Sequence, residues 1–381
     1  MNFDAAIVPC LEYTPDAIDA AMDSVIEKIG GLDFIKPGMK IAIKANLVML
    51  KKPDSAATTH PSLLIALTKR IIARGASVVV GDSPGGPFTY PWIKSIYLAT
   101  GMGDVEKAGA SLNKNMGVEI ANAHGERLSD FSYTAYLAEA DFIINFAKLK
   151  THGMMAMTGA VKNMFGTIPG TQKPEYHYNF SKSDDFANVI IDIYEYFKPV
   201  ISFVDAVIGM EGNGPTAGTP RHIGALIASK SAFSADLIGA SIIGLDSARV
   251  PILREGIRRG ICAESLDRLN IFGDPETFKI NDYKLMDAVD DLGFKTVFEF
   301  SDRFLAENLR SRPVVNPKIC VGCAVCFNTC PAHAITMISK CPSFDYGKCI
   351  RCCCCQEFCK VGAITVKRPL IARILTRGRT P

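Results

Sequence analysis

Two stretches near one end constrain this chain more than anything else in it: CVGCAVCFNTC from Cys320 to Cys330 and CIRCCCCQEFC from Cys349 to Cys359. Cys320, Cys323, Cys326 and Cys330 follow the spacing CxxCxxCxxxC, and Cys349, Cys352, Cys355 and Cys359 repeat it at an offset of 29 residues. The same offset lays Ala334-Ile335-Thr336 on Ala363-Ile364-Thr365, so the repeat extends beyond the cysteines and implies two half-domains about a pseudo-twofold axis. Of 13 cysteines, 11 lie between positions 320 and 359 of a 381-residue chain. That concentration speaks for metal thiolates in a reducing compartment rather than for disulfides. Cys10 and Cys262 stand alone and read as small buried apolar residues.

Three thiolates spaced by two residues wrap one face of an iron–sulfur cubane, while the fourth points away and ligates the other cluster. Two 4Fe-4S clusters follow, one on Cys320, Cys323, Cys326 and Cys359, the other on Cys349, Cys352, Cys355 and Cys330. The alternative, two structural zinc sites, needs only paired CxxC knuckles. The segment resembles a bacterial two-cluster ferredoxin over about residues 313–368. It departs from that pattern at Lys360, which stands where proline usually follows the last cysteine, and in the extra thiols Cys353 and Cys354. These two and Cys341 read as bystanders, with ligand exchange as the sharper alternative.

The rest of the chain alternates strand-like and helix-like runs. Thr14-Pro15-Asp16 opens a helix carrying Ile18, Met22, Val25, Ile26 and Ile29, stopped by Gly30-Gly31. Strands are expected at 40–47, at 77–86 ending in a glycine-rich turn, and at 141–149, 200–210 and 223–228. Helices are expected at 61–74, capped by Thr59 or His60, and at 184–197 and 233–245. Such alternation predicts an α/β fold, a layered, mostly parallel sheet with helices on both faces, over residues 1–310. A short stiff linker (311–317), a small α+β two-cluster module (318–368) and a basic tail (369–381) follow.

In such sheets ligands bind beyond the carboxyl ends of the strands. Those ends are polar here. Lys44 and Asn46, Asp82, then Lys148, Lys150 and His152, then Asp205 and Glu211 follow successive strands, with Lys162 and Asn163 shortly after. Each alone reads as a solvated loop residue or a satisfied hydrogen-bonding group; their recurrence points to one crevice suited to an anion. His152, Lys148, Lys150 and Lys162 are the acid/base candidates, since crowded ammonium groups lower one another's pKa. Lys44, Asn46, Asp82, Asn163, Asp205 and Glu211 are the binding candidates. Tyr176, His177 and Tyr178 fall in a polar insertion, a lid or a plain surface loop. Neither GxGxxG nor GxxxxGK[ST] occurs at a strand-to-helix turn.

With those motifs in view, FAKLKTHGMMAMTGAVKNMFGTIPG at 146–170, together with IKANLV, TTHP, GDSPGG and EGNGPTAGTP, resembles the family labelled domain of unknown function 362 over about residues 3–300. Members of that family often carry a ferredoxin module. The departure is ASKSAFSAD at 228–236, where the resemblance implies an acidic residue and proline in place of Lys230-Ser231, though Asp236 remains.

With 42 basic against 39 acidic residues, no nucleic-acid partner is expected over the surface as a whole. The N-terminus lacks the pattern of a signal peptide and no apolar run reaches about 18 residues, so a soluble cytoplasmic protein is expected, with no membrane span. Two functions stay open. One is a redox enzyme that reduces an anionic small molecule held in the crevice, fed by a redox partner protein. The other is an electron-carrying subunit or maturation factor whose α/β domain binds another protein.

Overall fold

A computed structural model describes residues 3–286, 310–367 and 369. Short aliphatic and β-branched runs form its strands: β1 (Ala5–Pro9), β2 (Lys40–Lys44), β3 (Ser77–Gly81), β4 (Ser111–Leu112), β5 (Val118–Asn122), β6 (Asp130–Thr134), β7 (Phe142–His152), β8 (Ala156–Thr158), β9 (Ile201–Glu211), β10 (Thr219–Ser229) and β11 (Ile271–Phe272). The main sheet runs β11-β1-β10-β9-β7-β2-β3-β4, with β8 folded back on the end of β7; β5 and β6 form a separate hairpin. From β9 to β4 every neighbour along that order is parallel.

Helices cover both faces, and each covers its own core. Pro15–Lys28 and Pro61–Ile72 bury Ile18, Met22, Leu63 and Leu67 on one side, while Ser183–Phe197 and Ala232–Ile242 bury Phe186, Ile190 and Phe233 on the other. His60, not Thr59, caps its helix: its ring Nδ1 accepts from the Ser62 amide at 3.3 Å. The expectation of parallel pairing fails at β10, which runs antiparallel to both β1 and β9. Residues 212–218 are too few for a crossover, which takes about a dozen residues or more, so the chain can only return as a hairpin.

The cysteine-rich module contains β12 (Arg312–Val315), β13 (Ile335–Ile338), β14 (Cys341–Phe344) and β15 (Ile364–Lys367). β12 pairs antiparallel with β15, and β13 with β14. The stretch expected as a stiff linker is therefore partly the first strand of the module. Its Pro313 is tolerated because a two-stranded ribbon has only edges. The 29-residue repeat is visible in the backbone: φ is positive at Gly322 and Arg351, at Ala324 and Cys353, and at His333 and Gly362. Two one-turn helices, Val325–Asn328 and Cys354–Glu357, follow the same offset. The apolar tail positions Leu370, Ile371, Ile374 and Leu375 lie outside the described residues. Among the described residues, no helix is long and apolar enough to cross a membrane.

Candidate functional site

The carboxyl ends of β2, β3 and β7 open onto a chamber of about 80 Å³, lined from the sheet side by Asn46, Asp82, Lys150, Lys162 and Asn163. Asn163 is its hub. Its side-chain oxygen accepts from Lys44 at 3.3 Å and Asn46 at 2.9 Å, and its amide donates to Asn145 at 2.8 Å. Lys44, fully buried, pairs with Asp82 at 2.7 Å, so those two charges cancel within the wall. Among the described residues Lys150 has no such partner: its ammonium donates to Asn46 Oδ1 at 2.9 Å and to the Ala57 carbonyl at 2.7 Å, both neutral. Burial, then the charges of Lys162 and Lys148, bring Lys150 down to about 7. The helix Lys173–Asn179 adds Lys173, lowered by burial to about 8 and donating to the Ser83 carbonyl, and His177.

The remaining wall comes from the module. Glu357 and Phe358, set between Cys355 and Cys359, line the chamber. His152 meets Glu357 there. Its Nδ1 accepts from the amides of Met154 at 3.1 Å and Met155 at 3.2 Å, which puts the proton on Nε2, 2.7 Å from Glu357 Oε1 though not aligned along that line. Burial and the charge of Lys162 lower His152 to about 4, so it is neutral at pH 7. Burial works to raise the Glu357 carboxyl, but His152 and Lys162 outweigh it and leave it below its usual range.

Backbone contacts hold this wall in place. Gln356 Nε2 donates to the carbonyls of Asn213 at 2.9 Å and Gly214 at 3.0 Å, Thr216 donates to the Glu357 carbonyl at 2.9 Å, and Asn213 donates to the Ile364 carbonyl at 3.1 Å. Two glycines permit the approach. A Cβ on Gly153 would lie 2.7 Å from Cys353 Sγ, and one on Gly85 would overlap the Phe358 ring.

Within the module the thiols surround two hollows. Cys320, Cys323, Cys326 and Cys359 line one; Cys330, Cys349, Cys352 and Cys355 line the other, with Cys353 and Cys354 beside them. The crossing residues keep the repeat: the Ala334 amide donates to Cys330 Sγ at 3.3 Å and the Ala363 amide to Cys359 Sγ at 3.2 Å. Among the described residues, no three His, Cys, Asp or Glu side chains converge tightly enough to hold a single metal ion.

Comparison with known proteins adds a family. The profile described as domain of unknown function (DUF362) matches residues 41–241, more than half of the chain and the part that builds the sheet side of the chamber. The chain belongs to that family. A thylakoid-associated protein of Synechocystis sp. is 27% identical over 314 residues, covering 78% of this chain and 94% of its own length. An uncharacterized polyferredoxin-like protein of Methanocaldococcus jannaschii is 29% identical over 85 residues; that match takes in 19% of this chain and about half, 51%, of the relative. Together with the cysteine cluster, it points to iron–sulfur involvement. The lactate racemase apoprotein of Thermoanaerobacterium thermosaccharolyticum superposes on 63% of this chain and 57% of its own at a TM-score of 0.42 and 12% identity, too slight a likeness to bear on function.

The DUF362 domain gathers most, not all, of the polar strand ends. Asn46, Asp82, Lys150, Lys162 and Asn163 line the chamber, and Lys44 and His152 sit behind its wall, against Asp82 and Glu357. Lys148 and Asp205 do not line it: they pair at 2.9 Å in a second buried network, where Lys148 donates to Tyr13 at 2.8 Å, Tyr13 donates to Asp205 at 2.8 Å and the Tyr13 ring stacks on His60. The β7–β9 register shifts between Lys148 and Lys150, which separates their surroundings. Glu211 is also elsewhere, accepting from the Lys284 amide at 3.1 Å. Asp236 accepts from the amides of Ala160 and Val161, at 2.5 and 3.0 Å, and so holds the turn before Lys162. His177 sits in a helix and is buried, and among the described residues its Nδ1 has no hydrogen-bond partner. Lys173, Glu357 and Phe358 escape the sequence reading, because only the docking of two distant segments makes them neighbours of the strand ends.

Proposed function

We propose that the protein is a ferredoxin-linked oxidoreductase: two four-iron clusters, on Cys320, Cys323, Cys326 and Cys359 and on Cys349, Cys352, Cys355 and Cys330, deliver electrons to an anionic acceptor in the chamber. One observation carries this reading. Glu357 and Phe358, between Cys355 and Cys359, form a wall of the chamber, so the second cysteine packet and the lysine-rich strand ends border one space. Two hollows, each ringed by four thiols in the crossed arrangement, fit cubanes better than single ions.

When bound, the clusters would supply one electron each, and an acceptor reduced to a more basic product takes up a proton from the site with them. Lys150 suits the proton transfer. Its Nζ is near neutrality at pH 7 and lines the chamber, whereas His152 is neutral and lies behind the wall, its Nε2 2.7 Å from Glu357 Oε1 but out of line with it. Lys162 and Lys173 attract the anion, and Phe358 limits access of water. The reductant is a low-potential electron-carrier protein. It docks where Cys323 is exposed beside Val321, Phe327 and Val361. Between residues 312 and 348 the module carries Arg312, Lys318, Lys340 and Lys348 against Asp345 alone, so this partner presents an acidic face.

Native and denaturing mass spectrometry on protein purified without oxygen tests the reading. About eight irons with matching sulfide, and a co-purified small acid, are the expected result. Zinc or no metal at the cysteines would sink it; eight irons with no acceptor able to reoxidise them would reduce it to an electron-carrying subunit.

A further inference from the structure

The charges around the chamber do not balance. Asp82 is spent on Lys44, which leaves Glu357 facing the ammonium groups of Lys162 and Lys173, with Lys150 near neutrality beside them. Lys162 rests 5.8 Å from the Phe165 ring centroid and, among the described residues, meets no hydrogen-bond acceptor. His177 Nδ1 is buried on the same wall without a partner. A buried polar atom such as His177 Nδ1 left without a partner is costly, and the half-buried ammonium groups beside it add positive charge to the same wall. The missing counterpart is an anion with several acceptor oxygens.

Size narrows it further. A space of about 80 Å³ holds roughly six water-sized groups at about 10–15 Å³ each. A small oxyanion fits such a space.

We propose that the chamber binds a small oxyanion, carboxylate or phosphate, gripped by Lys162, Lys173 and His177, and that the module's Glu357 holds its affinity down by standing as a second negative charge beside it. This rests on the reading of the chamber as the acceptor site, but it requires no electron transfer. Module docking and anion binding are then coupled through one carboxylate, and coupling of that kind is reciprocal.

Isothermal titration calorimetry of inorganic phosphate and of acetate into full-length, cluster-loaded, oxidised protein at pH 7 and low salt tests it. At least one anion should bind saturably at one site. Lys162→Ala and Lys162→Gln should each weaken it by roughly tenfold or more, Glu357→Gln should strengthen it several-fold, and the exposed control Lys182→Ala should leave it unchanged. Iron content and visible absorbance of each variant establish that it is folded and loaded. Tighter phosphate identifies a phosphate compound as the natural ligand, and tighter acetate a carboxylic acid. No saturable binding by either anion to the native protein and to Glu357→Gln overturns the proposal, as does undiminished binding by both Lys162 variants. Because no reductant is present, failed binding leaves the redox reading standing, and intact binding without electron transfer leaves this one standing.

Discussion

Cys320–Cys330 and Cys349–Cys359 share spacing, positive-φ turns, one-turn helices and the amide-to-sulfur hydrogen bond, yet they live in different surroundings. In the first packet Cys323 is exposed and Val321 and Phe327 stand out into solvent. In the second Cys352, Cys353, Cys354 and Cys355 are all buried, Cys353 against Gly153 of the DUF362 domain. Reduction potential in iron–sulfur proteins follows exposure and hydrogen bonding to sulfur as much as ligand type. Two equal halves placed in unequal surroundings thus acquire unequal properties, and the molecule gains an outside and an inside end.

The crossing cysteines offer the strongest way to break this comparison. Cys330→Ser should cost the inner cluster and Cys359→Ser the outer one, each removing about half of the bound iron. Electron paramagnetic resonance on the reduced variants should show two different surviving signals; the same survivor in both would end the crossed assignment. Undocking should erase the difference between the ends. Gly85→Val drives a side chain into the Phe358 ring, and overpacking of this kind costs about 1–3 kcal/mol. An iron chelator should then bleach both clusters at similar rates, where the native protein loses the outer one first.

A smaller effect comes from pH. Lys150 holds its proton only to about 7 when folded, against an ordinary 10.5. Between those values the unfolded chain binds a proton that the folded chain does not, so stability rises with pH across that window. Lys150→Met should show a flatter rise in unfolding midpoint from about pH 7 to about pH 10, and a rise equal to the native one would mean that Lys150 is an ordinary solvated lysine. The smallest effect belongs to the outer rim: Phe327→Ser should raise KM for a protein electron donor a few-fold with kcat and iron content unchanged.

Much of this was legible before any coordinates. Covalent spacing of cysteines survives folding unchanged, so the 29-residue repeat is visible in a string of letters, and the sequence groups Cys330 and Cys359 as the lining of the two hollows does. Strand-end lysines were legible as a group because parallel sheets gather their carboxyl ends. Lys148 and Asp205 left that group because a register shift in β7 is a property of pairing and not of composition. Glu357 was invisible for another reason: its role depends on Gln356 finding the carbonyls of Asn213 and Gly214, some 140 residues away in the chain. The direction of β10 depended on counting a short connection that propensity alone ignores.

The buried position of Cys352–Cys355 also implies an order of assembly. On the cluster reading proposed above, iron and sulfide reach these thiols while they are open to solvent, before the module seats Cys353 against Gly153. On that reading cluster insertion precedes closure, and the chamber is the last part of the molecule to form. A chain still without clusters would present a floor of Lys150 and Lys162 with no Glu357 above it, so the finished site would mark a matured molecule.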